Sequence, residues 1–247
     1  MDKKKIETST APAPPLLRRG SGEVFTAPAP PLLRRGSGEV FTAPAPPLLR
    51  RGRGRFLGLF GGSFNPIHNG HVALARQLRL LAGLDEVWLM VSPQNPLKQR
   101  RTDLIDDQLR FAMARLALHG EQGIVASDYE LHLPRPSYTW NTLQRLKEDF
   151  PCDSFTLLIG ADNWQLFPQW YRAQDILSEH RVVVYPRRGS AVDVASLPAN
   201  VTLVDTPLLD ISSTEIRRRA AQGEDIKNCV PEVIVPLVRR LYGASAL

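Results

Sequence analysis

The chain has 247 residues, 43% of them hydrophobic, and a formal net charge of +6, which fits a globular protein with one sizeable core. No apolar run approaches the roughly 18 residues of a membrane-spanning helix. The two cysteines, Cys152 and Cys229, have no metal-ligand spacing and are too few for a disulfide framework. With no signal peptide expected at the start, these features predict a cytosolic protein.

Residues 1–55 differ from the rest in composition. They hold 11 of the 31 basic residues but only four of the 25 acidic ones, so residues 56–247 are almost neutral, with 20 basic and 21 acidic residues. The segment 11–26 recurs letter for letter as 27–42, and a third copy begins at Ala43. The many prolines and few apolar side chains predict a disordered, partly polyproline-like arm.

Three active roles of this arm stay open: a proline-rich ligand for a recognition domain, a contact with nucleic-acid or membrane phosphates, and a transit peptide. Identical copies are more typical of a duplicated gene segment than of a tuned surface. We therefore expect a dispensable extension over 1–55, no nucleic-acid partner, and a single folded domain over 56–247.

The domain begins with a predicted strand over 56–60, a glycine-rich turn, and a helical pattern from Val72. The turn runs over 61–71 and reads GGSFNPIHNGH. A strand that leads through a glycine turn into a helix places free backbone N–H groups and the positive helix end at one point. Such a point binds anions, so the turn predicts a phosphate site.

Two histidines belong to this turn. If Asn69 caps the helix, His68 and His71 flank the helix start, and both rings can donate to a phosphate oxygen, most strongly when protonated. The alternative interpretation is that they are two polar residues at a helix start without a ligand. A metal pair is disfavoured because no third ligand stands at suitable spacing. The turn also differs from the dinucleotide-binding and P-loop glycine motifs.

The remaining domain alternates apolar strands with helices. Strands are predicted over 86–92, 123–127, 154–160, 181–185 and 201–205. Helices are predicted over 104–118, capped by Asp103, and over 139–149. Continuous apolar strands separated by helices predict an α/β fold, a Rossmann-like, mostly parallel sheet flanked by helices. The loops after the strands then share one edge of the sheet, where we expect the ligand site.

A second helix start follows the last strand. Ser212 with Glu215 matches the capping-box pattern, and additional donors stand on the same first turns: Ser213, Thr214 and Arg217. Hydroxyls and a guanidinium at a helix N-terminus can hold an anion. Two such sites in one α/β domain indicate a nucleotide with several phosphates.

These motifs resemble a known family. The turn resembles the HxGH signature of the nucleotidyltransferase superfamily, and ISSTEIR at 211–217 resembles its C-terminal motif. Three segments, at 92–98, 136–143 and 159–163 followed by 170–171, are similar to bacterial nicotinate-nucleotide adenylyltransferases. The resemblance runs from Phe56 to the end. Asn65 stands where many relatives have Asp, and the arm has no counterpart.

The resemblance implies that a phosphate oxygen of nicotinate mononucleotide attacks the α-phosphorus of Mg²⁺-ATP and that pyrophosphate leaves. The catalytic residues would be His68 and His71, which hold the α- and β-phosphates. The reacting phosphate would lie on the N–H groups of the turn, and the pyrophosphate near the second helix start. The implied ATP-binding residues are Gly61, Gly62, Ser63, Phe64, His68, His71, Ser212, Ser213, Thr214 and Arg217.

For the mononucleotide, the resemblance implies a ring stacked on Trp170, a carboxylate on the backbone amides of Thr139 and Tyr171, Asp162 near the ribose, and Lys98 near the phosphate. The core is expected to contain the other three tryptophans, Trp88, Trp140 and Trp164.

Mg²⁺ would be carried by the phosphates and water. A homo-oligomer is possible. A sister transferase for nicotinamide mononucleotide or phosphopantetheine, and a non-catalytic nucleotide-binding protein, are the alternatives.

Overall fold

The computed structural model describes residues 17–18, 24–25, 54–93, 104–208 and 210–244. Contacts divide the chain into two units, Met1–Arg51 and Gly52–Leu247. In the first unit, strand β1 (Leu17–Arg18) pairs antiparallel with β2 (Val24–Phe25). Disorder was predicted for the whole arm, residues 1–55. Of these, the structure describes only 17–18, 24–25 and 54–55, so the rest of that prediction lies outside the described residues.

The second unit contains a six-stranded parallel sheet in the order β5-β4-β3-β6-β7-β8. The chain starts in the middle at β3, moves outward to β5, returns to β6 beside β3, and moves outward again. The crossover direction therefore reverses between β3 and β6, which is where such sheets bind ligands. The strands are β3 (Phe56–Gly62), β4 (Glu86–Val91), β5 (Ile124–Ser127), β6 (Ser154–Gly160), β7 (Arg181–Tyr185) and β8 (Val201–Leu203).

Helices cover both faces of this sheet, and each face has its own core. Apolar residues of α1, α2, α6 and α7 fill the core on one face, and those of α3, α4 and α5 fill the core on the other. The predicted parallel α/β sheet with helices on both faces is thus confirmed. The helices are α1 (Asn69–Leu81), α2 (Asp107–Ala117), α3 (Thr139–Asp149), α4 (Ala161–Leu166), α5 (Ala173–Glu179), α6 (Ser213–Ala221) and α7 (Val235–Tyr242).

Several element ends differ from the prediction. Helix α2 begins at Asp107 rather than 104, because the Asp106 carboxylate accepts the N–H groups of Gln108 and Leu109 at 2.9 and 3.2 Å; Asp103 lies outside the described residues. Helices α4, α5 and α7 were not predicted, since runs of six to eight residues are too short to show a helical period. Within the described residues, no helix has the length and apolarity to cross a bilayer.

Arg55, directly before β3, is hydrogen-bonded to Asp153, the residue directly before β6. Its side chain donates from Nε and Nη2 to Asp153 Oδ2 at 3.2 and 2.7 Å, and its backbone N–H donates to Asp153 Oδ1 at 2.9 Å. These bonds join the residue before β3 to the residue before β6, at the edge of the sheet opposite the strand-end loops.

Candidate active site

The turn after β3 has a shape that depends on one close glycine contact. Phe64 adopts a left-handed backbone conformation, with φ of 45°, and its buried ring lies against Gly62. A Cβ on Gly62 would come within 2.9 Å of Phe64 Cζ, closer than real side chains allow. The Phe64 ring covers one side of Gly62, while Gly61 is exposed and Gly62 and Ser63 are half-buried, so part of this backbone stays accessible, as an anion site requires.

His68, and not Asn69, is the N-cap of α1. The Nδ1 atom of His68 accepts the backbone N–H of His71, and Nδ1 of His71 accepts the backbone N–H of His68, both at 3.3 Å. The rings stack with centroids 3.6 Å apart. Because each Nδ1 is an acceptor, the proton of each neutral ring sits on Nε2, which leaves one N–H donor on each ring.

Both rings are held neutral. Burial lowers the pKa of His68 to about 3, and the nearby Arg187 guanidinium lowers it in addition. Burial, the His68 ring and Arg187 hold the pKa of His71 well below its ordinary value. In the unliganded protein the donors are therefore neutral Nε2–H groups, and stronger donation by a protonated ring to a bound phosphate stays a prediction.

The second predicted anion site lies against the first. Ser212 caps α6, with its hydroxyl accepting Glu215 N–H at 3.2 Å. From α6, Ser213 Oγ donates to the Pro66 carbonyl at 2.9 Å, and Arg217 Nη1 donates to the Asn65 carbonyl at 2.7 Å. Helix α6 and the glycine turn, about 150 residues apart in sequence, are thus hydrogen-bonded to each other.

Two details of this region differ from the sequence pattern. The Glu215 carboxylate pairs with Arg218 and Arg219 at 2.7 and 2.8 Å instead of completing a capping box. Asn65 is fully buried, and its Oδ1 accepts the Tyr242 hydroxyl of α7 at 2.6 Å, so the C-terminal helix also holds the turn.

A cavity of about 260 Å³ opens beside the turn at the carboxyl ends of the strands. This is below the roughly 300–1,000 Å³ of pockets that enclose a whole drug-sized ligand, so the cavity suits one part of a nucleotide. Its lining includes six of the predicted site residues: Gly61, Gly62, Ser63, Thr139, Trp170 and Tyr171.

Polar groups without partners face this cavity. Helix α3 begins at Thr139, and its N-cap, Tyr138, makes no side-chain capping bond, so the first N–H groups of α3 stay available for an anion. The Ser137 hydroxyl oxygen is buried and has no hydrogen-bond partner among the described residues. The cavity wall thus presents donors that a polar ligand can satisfy.

Glu130 is a cavity residue that the sequence analysis did not single out. Its carboxylate accepts the Thr142 hydroxyl at 3.1 Å. Burial raises the pKa of Glu130, although hydrogen bonds with Ser92 and Thr142 act in the opposite direction. A raised pKa favours the neutral acid, which reduces the repulsion of an anionic ligand.

The other predicted ligand residues are distributed as follows. Trp170 is half-buried and packs on Phe167, with ring centroids 5.2 Å apart. Exposed Tyr171 lies 5.0 Å from the Tyr138 ring, whereas Asp162 lies outside the cavity lining. Lys98 lies outside the described residues. The remaining tryptophans pack in or against the core as expected: Trp88, Trp140 and Trp164.

Arg187 is a site residue that the sequence analysis missed. It follows β7, and its Nε lies 3.8 Å from Asp162 Oδ1, which belongs to the segment after β6. Its guanidinium lies 5.3 Å from the ring centroid of Tyr185, which lines the cavity, and its charge lowers the pKa of both turn histidines. The available signal was its position just after a strand at the carboxyl edge, where ligand-binding residues gather.

Comparisons with known proteins agree with this geometry. A family model of cytidylyltransferase-like proteins matches residues 59–219. A Bacteroides fragilis protein named "probable nicotinate-nucleotide adenylyltransferase" is 51% identical over 170 residues, 69% of this chain and 84% of that protein. A Bacteroides thetaiotaomicron protein of the same name is 48% identical over the same shares. The solved Plasmodium falciparum nicotinic acid mononucleotide adenylyltransferase complexed with NaAD is similar in fold, with a TM-score of 0.63 at 22% identity over 76% of this chain and 97% of that chain.

Proposed function

The chain belongs to the nicotinate-nucleotide adenylyltransferase family, and we propose that it transfers the adenylyl group of ATP to nicotinate mononucleotide, a step of NAD biosynthesis. The products are deamido-NAD and pyrophosphate. A phosphate oxygen of the mononucleotide attacks the α-phosphorus of ATP, and the bond from that phosphorus to the β-phosphate oxygen breaks. The protein's main task is then to position two anions and to stabilise the moving charge.

The observation that carries this proposal is that the glycine-rich turn after β3 both lines the cavity and is hydrogen-bonded to α6. Gly61 to Ser63 line the cavity, while the carbonyls of Asn65 and Pro66 bind α6. A mononucleotide in the cavity and a triphosphate between the histidines and α6 would therefore meet at the same few backbone amides. In-line transfer requires such a meeting point.

On the ATP side, we assign the Nε2–H groups of His68 and His71 to the α- and β-phosphates. The backbone N–H groups from Gly61 to Phe64 receive the reacting phosphate. The α6 start receives the leaving pyrophosphate through Ser212, Ser213, Thr214 and Arg217. Each donor that reaches charge developing in the transition state contributes about 3–4 kcal/mol.

On the mononucleotide side, Trp170 stacks on the pyridine ring, and the carboxylate meets the backbone N–H groups of Thr139 and Tyr171. Asp162 lies near the ribose and Lys98 near the phosphate. The uncapped start of α3 supports a carboxylate at this end, because helix N-termini stabilise negative charge. A neutral nicotinamide ligand would gain less there, so we propose that the acid is preferred to the amide.

Mg²⁺ enters this scheme as part of the ATP substrate. The described residues group no three His, Cys, Asp or Glu side chains as metal ligands. We therefore propose that phosphate oxygens and water hold the ion, as Mg²⁺ prefers in many phosphoryl-transfer sites. The cytosolic location remains a prediction from the sequence.

Pyrophosphate release tests the reaction. With ATP and Mg²⁺, the protein should release pyrophosphate with nicotinate mononucleotide and more slowly with nicotinamide mononucleotide or phosphopantetheine. Faster release with either alternative would identify a sister transferase. ATP binding without release under any pairing would identify a nucleotide-binding protein without this activity.

Replacing a turn histidine tests the assignment of roles. His71→Ala should lower kcat by about 10²–10³, the effect of removing one transition-state donor, while circular dichroism shows a folded protein. His119→Ala, at an exposed position beyond α2, is the matched control and should keep full turnover. Full activity in His71→Ala would refute the role assigned to that ring.

A further inference from the structure

Arg110 of α2 is a fully buried arginine whose hydrogen bonds go mainly to loop carbonyls. Its side chain is 0% exposed. Nη1 donates to the Ser63 carbonyl, Nη2 to the Ser92 carbonyl at 3.0 Å, and Nε to the Ile105 carbonyl at 3.2 Å. One planar group thus binds three separate segments of backbone.

These three segments are walls of the cavity. Ser63 belongs to the turn after β3, Ser92 directly follows β4, and Leu104, the neighbour of Ile105, lies in the segment that leads into α2. All three lining positions, Ser63, Ser92 and Leu104, border the cavity. Because Arg110 binds them or a neighbour through backbone carbonyls, it fixes the main-chain positions of the walls without itself lining the cavity.

Asp107 fixes Arg110 and extends the network to a fourth segment. Its Oδ1 accepts Arg110 Nη2 at 2.5 Å, and its Oδ2 accepts Arg135 Nη2 at 2.6 Å. Arg135 stands two residues before Ser137, where the chain enters the cavity wall that continues to Thr139. Asp107 therefore links the guanidinium behind three walls to the segment that forms the fourth.

We propose that Arg110, oriented by Asp107, is a positioning residue for adenylyl transfer, which holds the walls of the mononucleotide cavity in register with the glycine turn. The inference rests on the proposed function and adds to it two residues that contact neither substrate. The carbonyls of Ser63 and Ser92 accept from Arg110, so the adjacent amides are held at fixed orientations. Misplacement of a substrate by about 1 Å costs about 100-fold in rate.

Lysine cannot replace arginine here, although it keeps the charge. Arginine offers five donors in a rigid plane, whereas an ammonium group offers three at a single point. The three carbonyls and the Asp107 oxygen are bound by all three nitrogens of the guanidinium, Nε, Nη1 and Nη2. Arg110→Lys should therefore leave the Ser63 or the Ser92 carbonyl unbound and let that wall move.

The test compares Arg110→Lys with Arg55→Lys in the full chain. Arg55 also pairs with an aspartate, since its Nε and Nη2 both donate to Oδ2 of the poorly exposed Asp153, but this pair lies at the opposite edge of the sheet. Both variants should melt at lower temperature than the wild type. Arg110→Lys alone should lower kcat/KM for nicotinate mononucleotide by about 100-fold, measured by pyrophosphate release at temperatures where each variant is folded.

A second variant covers the case in which Arg110→Lys does not fold. Asp107 is partly exposed, with 21% of its side chain accessible, and Asp107→Asn keeps its shape while removing the charge that orients Arg110. It should raise KM for nicotinate mononucleotide by about tenfold, the effect of a partial misplacement, and the melting-temperature gain that this nucleotide gives the wild type should shrink. In Arg55→Lys, the rise in melting temperature on adding nicotinate mononucleotide should equal that of the wild type.

The results distinguish a role of Arg110 and Asp107 in positioning the substrate from a role only in the stability of the fold. A folded Arg110→Lys or Asp107→Asn protein with wild-type kcat/KM would overturn the inference and leave the proposed function standing. An equal loss in Arg55→Lys would also overturn it, because general destabilisation would then explain both variants. Absence of pyrophosphate release by the wild type would instead overturn the proposed function, and the inference with it.

Discussion

At His68 and His71, the two nitrogens of each ring have different tasks. Nδ1 closes the first turn of α1 by accepting a backbone N–H, and Nε2 carries the remaining proton. The cap thereby selects the tautomer that presents a donor, so helix capping and the proposed phosphate binding use the same two side chains. Protonation of either Nδ1 would remove an acceptor of the cap, since a protonated ring has donors only.

This arrangement makes the stability of the unliganded protein depend on pH. The pKa of His68 is lowered to about 3 by burial and Arg187, below the value of about 6.5 in the unfolded chain. The unfolded state therefore binds more protons, and stability falls as pH falls from about 6.5 toward 3. At pH 5, the titration of His68 alone should lower the free energy of unfolding by about 2 kcal/mol relative to neutral pH. The lowered pKa of His71 acts in the same direction.

Urea unfolding between pH 7 and pH 4 checks this dependence. His68→Asn keeps an N-cap acceptor but removes one titrating group, so its stability should change less with pH than that of the wild type. The exposed His119→Ala variant should follow the wild type. Equal pH slopes for His68→Asn and the wild type would show that His68 does not titrate as described.

The strand, turn and helix that form the proposed anion site pack as one element. The end of β3 must pass close to the Phe64 ring, and α1 must begin where the His68 ring packs on Gly70, whose Cβ would lie 3.0 Å from Nδ1. The aromatic packing continues through Phe60, whose ring centroid is 5.9 Å from that of Phe64. The glycines of this motif are thus required by packing as well as by access to the backbone.

Gly62→Ala should distort this element. The new Cβ would meet the Phe64 ring at 2.9 Å, and overpacking of this kind costs about 1–3 kcal/mol. At Gly61 the nearest atom to a new Cβ would be Ser92 Oγ at 3.8 Å, so Gly61→Ala should cost less stability. Urea unfolding of both variants measures the difference, and an equal or larger cost at Gly61 would contradict the packing argument.

On the scale of the whole molecule, the hydrogen bonds described above for the site join residues of the unit Gly52–Leu247. Helices α2, α6 and α7 each contribute a residue that binds the glycine turn: Arg110, Arg217 and Tyr242. These helices share one face of the sheet. The arm carries the basic excess of the chain.

A chain shortened to 52–247 should therefore retain the kcat/KM and the melting temperature of the full chain. Further shortening to 56–247 removes Arg55 and its bonds to Asp153, which should lower the melting temperature by about 2–4 °C for each kcal/mol lost without affecting kcat/KM. Calorimetry and pyrophosphate release measure the two effects. A loss of kcat/KM on removing 1–51 would assign the arm a role in the reaction.

The sequence by itself determined the alternation of strands and helices, the parallel sheet and the two helix starts, after the first and the last strand. These features follow from local patterns: apolar runs, glycines between a strand and a helix, and hydroxyls at a helix N-terminus. Helix α3 was predicted with its observed bounds, 139–149, because its period is clear over three turns.

Only the tertiary structure decided which partners these residues have. Asn69 was expected to cap α1, but the reciprocal bonds of His68 and His71 occupy that role. The burial of Glu130 in the cavity, the bond from Ser213 to Pro66, and the position of Arg110 behind three loops were not readable from local patterns. They depend on contacts between residues up to about 150 positions apart, and a sequence pattern describes a residue's neighbours along the chain, whereas burial and hydrogen bonding depend on its neighbours in space.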